Sequence, residues 1–151
     1  MPDDQSPAAT TSDRIAVAAA KLWQTKQAAT YATPPVSDQA FDCSYFVWLA
    51  IKTVNPLFVR ESSDEIAKDR LQFQSVTGAP QAGDIVYFPA GPVPYEVQKG
   101  VKRSFPAHVA IMLSASQFVG MQSGGVGKVN VPDRWWWSRK KQFLRYIGSA
   151  Q

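Results

Sequence analysis

Hydrophobic positions in this chain follow a helical rhythm in its first half and gather into short β-branched and aromatic runs in its second. Ile15, Ala18, Ala19 and Leu22 lie three and four residues apart, which predicts a surface helix from Asp13 onward. Ser12 is its expected N-cap, and Asp13 suits the dipole of the first turn. Pro34 and Pro35 break that pattern, because each fixes its own φ and disfavours helix in the residue before it. Cys43, Phe46, Val47, Ala50, Ile51 and Val54 then fall at i, i+3, i+4, i+7, i+8 and i+11, the stripe of a buried helix that Asn55-Pro56 ends. A third, short helix is predicted around Ser63 to Leu71, with Ser63 as its cap. Beyond Gly78-Ala79-Pro80 the runs Ile85–Phe88, Val109–Leu113, Phe118–Met121, Val129–Val131 and Phe143–Ile147 predict strands, separated by Gly, Pro, Ser or Asn. Helices first and consecutive strands afterwards indicate an α+β fold, with an antiparallel sheet of about five to six strands and the helices on one side. Residues 1–12, rich in Pro, Ser, Thr and Asp, are expected to form a disordered tail, leaving residues 13–151 as one domain.

Composition narrows the function classes. At 151 residues the chain can bury roughly two-thirds of its unfolded surface, so a real core is possible. No apolar run reaches the ~18 residues of a membrane span, and the formal charge of +4 is spread out, which does not single out nucleic acid. No export signal is visible in MPDDQSPAATTSD, so the reading is either a removed leader or export by a route that needs none. With one Cys and one His there is no disulfide and no ligand cluster for a metal, and no cofactor is expected. The chain is expected to act as a monomer.

The lone thiol and the lone imidazole carry the chemistry. A thiolate is a strong nucleophile, and a helix N-terminus such as that at Cys43 favours it. Asp42 before it is a good N-cap whose carboxylate can turn toward the Tyr45 amide. His108 opens a predicted strand that an antiparallel sheet can bring beside that helix. Taken singly, each residue is as readily structural: a buried Cys is commonly a small hydrophobe, and a His at a strand start commonly a satisfied surface group.

Three motifs change that balance. Asp42-Cys43-Ser44-Tyr45-Phe46-Val47 resembles the D-C-S-G-F-V nucleophile motif of the NlpC/P60 family. Ala82-Gly83-Asp84-Ile85-Val86-Tyr87-Phe88 resembles its G-D strand, and His108-Val109-Ala110-Ile111-Met112-Leu113 its H-V-G-I-Y strand. The resemblance spans roughly residues 29–131 and implies a papain-like α+β fold with Cys43 as nucleophile and His108 as base. It implies a peptidoglycan peptide stem as substrate, most often the bond from D-glutamate to the diamino acid. The family often carries a Tyr twelve residues before the nucleophile, here Tyr31, implied as an oxyanion-side donor beside the backbone near Ser44; the alternative is a loop aromatic packed on the first helix. Its third polar residue lies about twelve after the His, and Gly120 stands there. Gln122, two further along and on the same strand face, can accept the imidazole N–H instead, with Ser123 and backbone carbonyls as rivals. Tyr45 in place of the family's Gly narrows the space beside the nucleophile.

Some features stay outside that frame. Residues 90–106 form a Gly/Pro-rich loop before His108 in which Tyr95, Lys99, Lys102 and Arg103 either meet substrate carboxylates or stay solvated. Trp135, Trp136 and Trp137 either anchor the C-terminal segment or stack on sugar rings. Ser123 to Gly127 lacks the Lys-Ser/Thr of a phosphate loop and is read as a turn. A lone catalytic domain also looks like the amidase effectors injected by type VI secretion, which implies action in the periplasm or wall and a cognate immunity protein. The alternatives are a CHAP-type amidase cutting the muramoyl-alanine bond and a wall-binding module without turnover.

Overall fold

The structure, a computed structural model, describes residues 9–148. The expected tail lies outside the described residues over 1–8, but its last two residues, Thr11 and Ser12, belong to the first helix. That helix, α1, runs Thr11–Thr25. Its N-cap is Thr10 rather than Ser12: Thr10 and Asp13 exchange side-chain and backbone hydrogen bonds in a capping box. Ser12 is buried, because α1 begins directly against Gly83, where a Cβ would stand 1.9 Å from the Ser12 carbonyl oxygen. Gly83 also has φ +90°, so both its space and its backbone demand glycine. The Gly of the Gly83-Asp84 motif is therefore explained by packing.

Two short strands follow, β1 (Thr30–Tyr31) and β2 (Ala40–Phe41), paired in parallel with Tyr31 opposite Phe41. The second helix, α2, covers Cys43–Val54, and its predicted stripe is buried from Cys43 through Val54. The third, α3, is Ser63–Lys68, shorter than expected and capped by Ser62 in a second capping box with Glu65. The strands are β3 (Phe73–Val76), β4 (Ile85–Phe88), β5 (Gly91–Pro92), β6 (Ser104–Phe105), β7 (His108–Ser114), β8 (Gln117–Gln122), β9 (Gly125–Asn130) and β10 (Gln142–Tyr146). A short helix, α4 (Pro94–Gln98), lies between β5 and β6. The main sheet has six strands in the order β3-β10-β4-β7-β8-β9, every neighbour antiparallel.

Strand alternation gives this sheet two buried faces. One face, with Ile85, Val109, Ile111, Val119, Met121 and Leu144, packs on α1 and α2. The other, with Val86, Phe88, Ala110, Met112 and Phe118, is covered by the segment carrying Trp136 and Trp137. The expectation of helices on one side is met, and the tryptophan run closes the opposite side. Between the faces Asp84, fully buried, accepts two hydrogen bonds from Arg145 at 2.8 and 2.9 Å and one from the Gln81 N–H at 2.8 Å.

Candidate active site

Cys43 is the first residue of α2, as its spacing predicted, and is buried. Asp42 caps the helix through the Tyr45 N–H at 3.0 Å and also accepts from the Ser44 hydroxyl at 3.0 Å and the Thr33 hydroxyl at 3.2 Å. Three donors thus hold the Asp42 carboxylate away from the sulfur, and the Ser44 hydroxyl is committed to the cap. The Thr33 bond fastens the segment after β1 to the cap of α2, and Tyr31 lies near Cys43. Burial raises the Tyr31 phenol above its ordinary pKa, with the neighbouring Cys43 and Asp42 adding to the effect. Tyr45 stacks on Phe41 and its hydroxyl donates to Asp38, so it walls the α2 side.

Burial also raises the Cys43 thiol above the usual range, and Asp42 adds to this, whereas the N–H of Val109 beside the sulfur works the other way. The thiol thus meets β7 one residue after His108. Alternation turns His108 to the other sheet face, where its ring lies 5.0 Å from that of Trp136 and 6.2 Å from that of Phe88, centroid to centroid. No thiol–imidazole hydrogen bond forms among the described residues. Burial first, and the positive charge of Arg139 second, push the imidazole pKa down to about 4. The resting pair is a neutral thiol and a neutral imidazole.

Gln122 reaches back toward that imidazole. In the β7–β8 ladder Ile111 pairs with Val119, and the same register carried to the strand ends sets Ala110 opposite Gly120 and His108 opposite Gln122. The Gln122 amide donates to the Gly127 carbonyl at 3.0 Å, which turns its oxygen over Gly120. A Cβ on Gly120 would stand 3.0 Å from that oxygen and 3.1 Å from the Ala110 Cβ. The carboxamide therefore occupies the space above the position where the family's third residue is expected. Its oxygen favours the protonated imidazole, yet the approach stops short of a formed hydrogen bond: His108 Nε2 and Gln122 Oε1 are both buried without a partner. Two orphaned buried atoms facing one cavity are unusual in a folded core.

That cavity, of about 290 Å³, is lined by Tyr31, Phe105, His108, Gln122, Trp135 and Arg139, among others. Residues 90–106, expected as a loop, fold into the β5–α4–β6 flap above it. Arg103 holds Glu96 through two bonds of 2.9 Å, and Glu96 also accepts from the Trp135 indole at 2.9 Å. Arg103 is therefore a structural residue of the flap, while Lys99 lies over the Tyr95 ring. The region expected as a turn is one only at Ser123-Gly124; Gly125 already opens β9, whose Gly127 carbonyl is needed to hold Gln122. Arg139 had no place in the sequence reading, and its only signal was a cation closing a run of three tryptophans. No group of three or more metal-ligating side chains occurs among the described residues, and none of their helices is long and apolar enough to cross a membrane.

The NlpC/P60 family pattern matches residues 23–145 of this chain. The chain belongs to the NlpC/P60 family. Three solved structures are similar in fold. The NlpC/p60 domain of the peptidoglycan hydrolase SagA is 19% identical over 87% of this chain and 98% of that one, with a TM-score of 0.56. A lipoprotein-like NLP/P60 family protein from Staphylococcus aureus is 19% identical over 97% of this chain and 46% of its own, with a TM-score of 0.60. NlpC1 from Trichomonas vaginalis is 17% identical over 95% and 46%, with a TM-score of 0.58. The chain spans about half the length of the latter two. No curated protein matches it. The α+β architecture of this NlpC/P60 domain, with helices on a six-stranded antiparallel sheet, is the one its motifs implied.

Proposed function

We propose that this NlpC/P60 domain is a thiol-dependent hydrolase of the peptidoglycan peptide stem, with Cys43 as nucleophile and His108 as base. The observation that carries the reading is the contact of Cys43, at the head of α2, with the Val109 N–H, one residue along β7 from His108, which lines a cavity with Gln122 and Tyr31. Cys43 sulfur attacks the amide carbonyl while its proton passes to the imidazole. The imidazolium then protonates the departing amine, and water hydrolyses the thioester to return free thiol. Because thiol and imidazole both rest neutral, the proton moves as the bond forms, and the imidazole turns toward the sulfur when substrate enters. Gln122 Oε1 steadies the imidazolium, and the Tyr31 hydroxyl with the amides at the start of α2 faces the developing oxyanion. SagA, a peptidoglycan hydrolase by its description, shares this fold, and the stem bond from D-glutamate to the diamino acid is the target that best suits the family.

A second reading is favoured by the missing thiol–imidazole hydrogen bond: a domain that binds the wall without turnover. Digestion of purified peptidoglycan by the wild-type protein and Cys43→Ala, followed by mass spectrometry of the fragments, separates the two. New fragments ending at the diamino acid, at least about 10⁴-fold fewer with Cys43→Ala, support the hydrolase. Identical inert digests with saturable binding support the binding module, and muramoyl-alanine cleavage would mean a CHAP-type specificity.

A further inference from the structure

Arg139 is a buried cation without an anion. It is only 4% exposed, and it forms no ion pair with a carboxylate among the described residues. Its Nη2 donates to the carbonyls of Pro89 and Pro106, both at 3.2 Å, which ties together the two ends of the flap. The guanidinium carbon lies 5.3 Å from the Phe88 ring, 5.5 Å from that of Trp135 and 5.7 Å from that of Trp136. Aromatic faces and two carbonyls hold a guanidinium in place without neutralising it. Nε and Nη1 have no acceptor among the described residues, and Arg139 lines the same cavity as His108. Burial lowers the affinity of this guanidinium for its proton, as expected for an unneutralised cation.

We infer that Arg139 is a substrate-binding residue that receives a carboxylate on the amine side of the amide being cleaved. The side is fixed by chemistry: His108 must hand its proton to the departing amine, so the cavity beyond His108 takes the residue that carries that amine. This rests on the hydrolase reading above. In the peptidoglycan stem that residue is the diamino acid, whose carboxylates are the anions available there. With Nη2 committed to the two carbonyls, the Nε–H and the Nη1 amino group are the charge-assisted donors left to carboxylate oxygens, and Trp135 offers a flat wall beside them. Carboxylate binding also neutralises the charge that disfavours protonation of His108, so the base becomes competent as its substrate arrives.

The test compares the tripeptide L-Ala-γ-D-Glu-diaminopimelate with its analogue in which both diaminopimelate carboxyls are amides. Binding to Cys43→Ala is measured by calorimetry, so it does not depend on turnover. The free acid is expected to bind at least about tenfold more tightly than the amide. Arg139→Gln in the same background should abolish that preference, whereas Lys140→Gln, at an exposed neighbour, should leave it intact. If Arg139 only ties the flap, Arg139→Gln weakens both ligands equally and the proposal falls. Should Arg139→Gln fail to fold, the Arg139 Nε–H resonance of Cys43→Ala decides: it must shift with the acid and stay still with the amide. Absent binding of either tripeptide also overturns it. A preference seen beside an inert wild-type digest would sink the hydrolase reading and the cleavage side assigned here, leaving Arg139 as a carboxylate site of a binding module, and a working digest without the preference would sink only this one.

Discussion

Two arginines of this domain meet the interior in opposite ways. Arg145 reaches Asp84, a fully buried carboxylate, and with the Gln81 amide leaves neither of its oxygens without a donor. Arg139 sits among indoles with no carboxylate at hand, beside an imidazole and a carboxamide whose buried atoms lack partners. A buried charge is expensive unless paired, so the completed site is what the fold requires of itself. The incomplete one leaves a cation and two polar atoms beside the cavity, which is where our proposal places the substrate carboxylate. The first corner stabilises the sheet near β4 and β10; the second holds the groups that our proposal turns toward substrate.

The largest effect that tests this contrast is at the completed corner. Asp84→Asn keeps the shape but removes the charge that answers Arg145, and breaking such a pair costs about 3–5 kcal/mol when both partners are buried. The Arg145 side chain is 32% exposed, so water offsets part of the loss and about 3 kcal/mol is expected in urea unfolding. Residual folded Asp84→Asn should digest peptidoglycan like wild type. A loss below about 0.5 kcal/mol would mean that the closed pair contributes no more than an ordinary surface bridge.

The next effect lies in the incomplete corner and depends on pH. Folding lowers the His108 pKa from its ordinary 6.5 to about 4. Between those values the unfolded chain binds a proton there and the native chain does not, so stability rises with pH across that window and is lost as pH falls through it. The shift corresponds to no more than about 3 kcal/mol. The difference between the stability curves of wild type and His108→Gln, taken from pH 7 to pH 4, isolates this group from the carboxylates titrating nearby. Parallel curves would show that the imidazole is not held neutral. The same depression predicts that kcat/KM retains its plateau down to about pH 4 to 5, well below an ordinary histidine.

Much of the fold around these corners was legible from sequence because it lies on strongly patterned segments. The α2 stripe placed Cys43 at a helix start, and the β-branched run after His108 placed the imidazole at a strand start. What escaped depended on weak local signals. Strand β3 has one fully buried side chain and lies at a sheet edge, and the first half of β9 sets two glycines around Val126, which reads as a turn, while its second half is predicted as strand. The true caps Thr10 and Ser62 each stand beside an equally plausible candidate, and only the packing of Ser12 on Gly83 and the Ser62–Glu65 box choose between them. Arg139 could not be read at all, since its neighbours Phe88, Pro89 and Pro106 are brought to it by the flap and the sheet.

The smallest effect is the most specific to this chain. Gly120→Ala adds one methyl group on the face of β8 where the Gln122 carboxamide folds back. The backbone there is ordinary strand, so alanine meets no conformational strain, and its better strand propensity offsets the tight contact with Ala110. Stability should change by less than about 1 kcal/mol. The flexible neighbour is Gln122, whose oxygen, otherwise 3.0 Å from the new methyl, must move off and away from the imidazole. About a tenfold fall in kcat/KM is expected, matching that of Gln122→Ala, because a positioning group contributes through the base that it orients. The two changes remove the same interaction, so Gly120→Ala/Gln122→Ala should be no worse than Gln122→Ala alone. If the two losses multiply instead, the carboxamide is not what the glycine makes room for, and His108 is oriented by some other group.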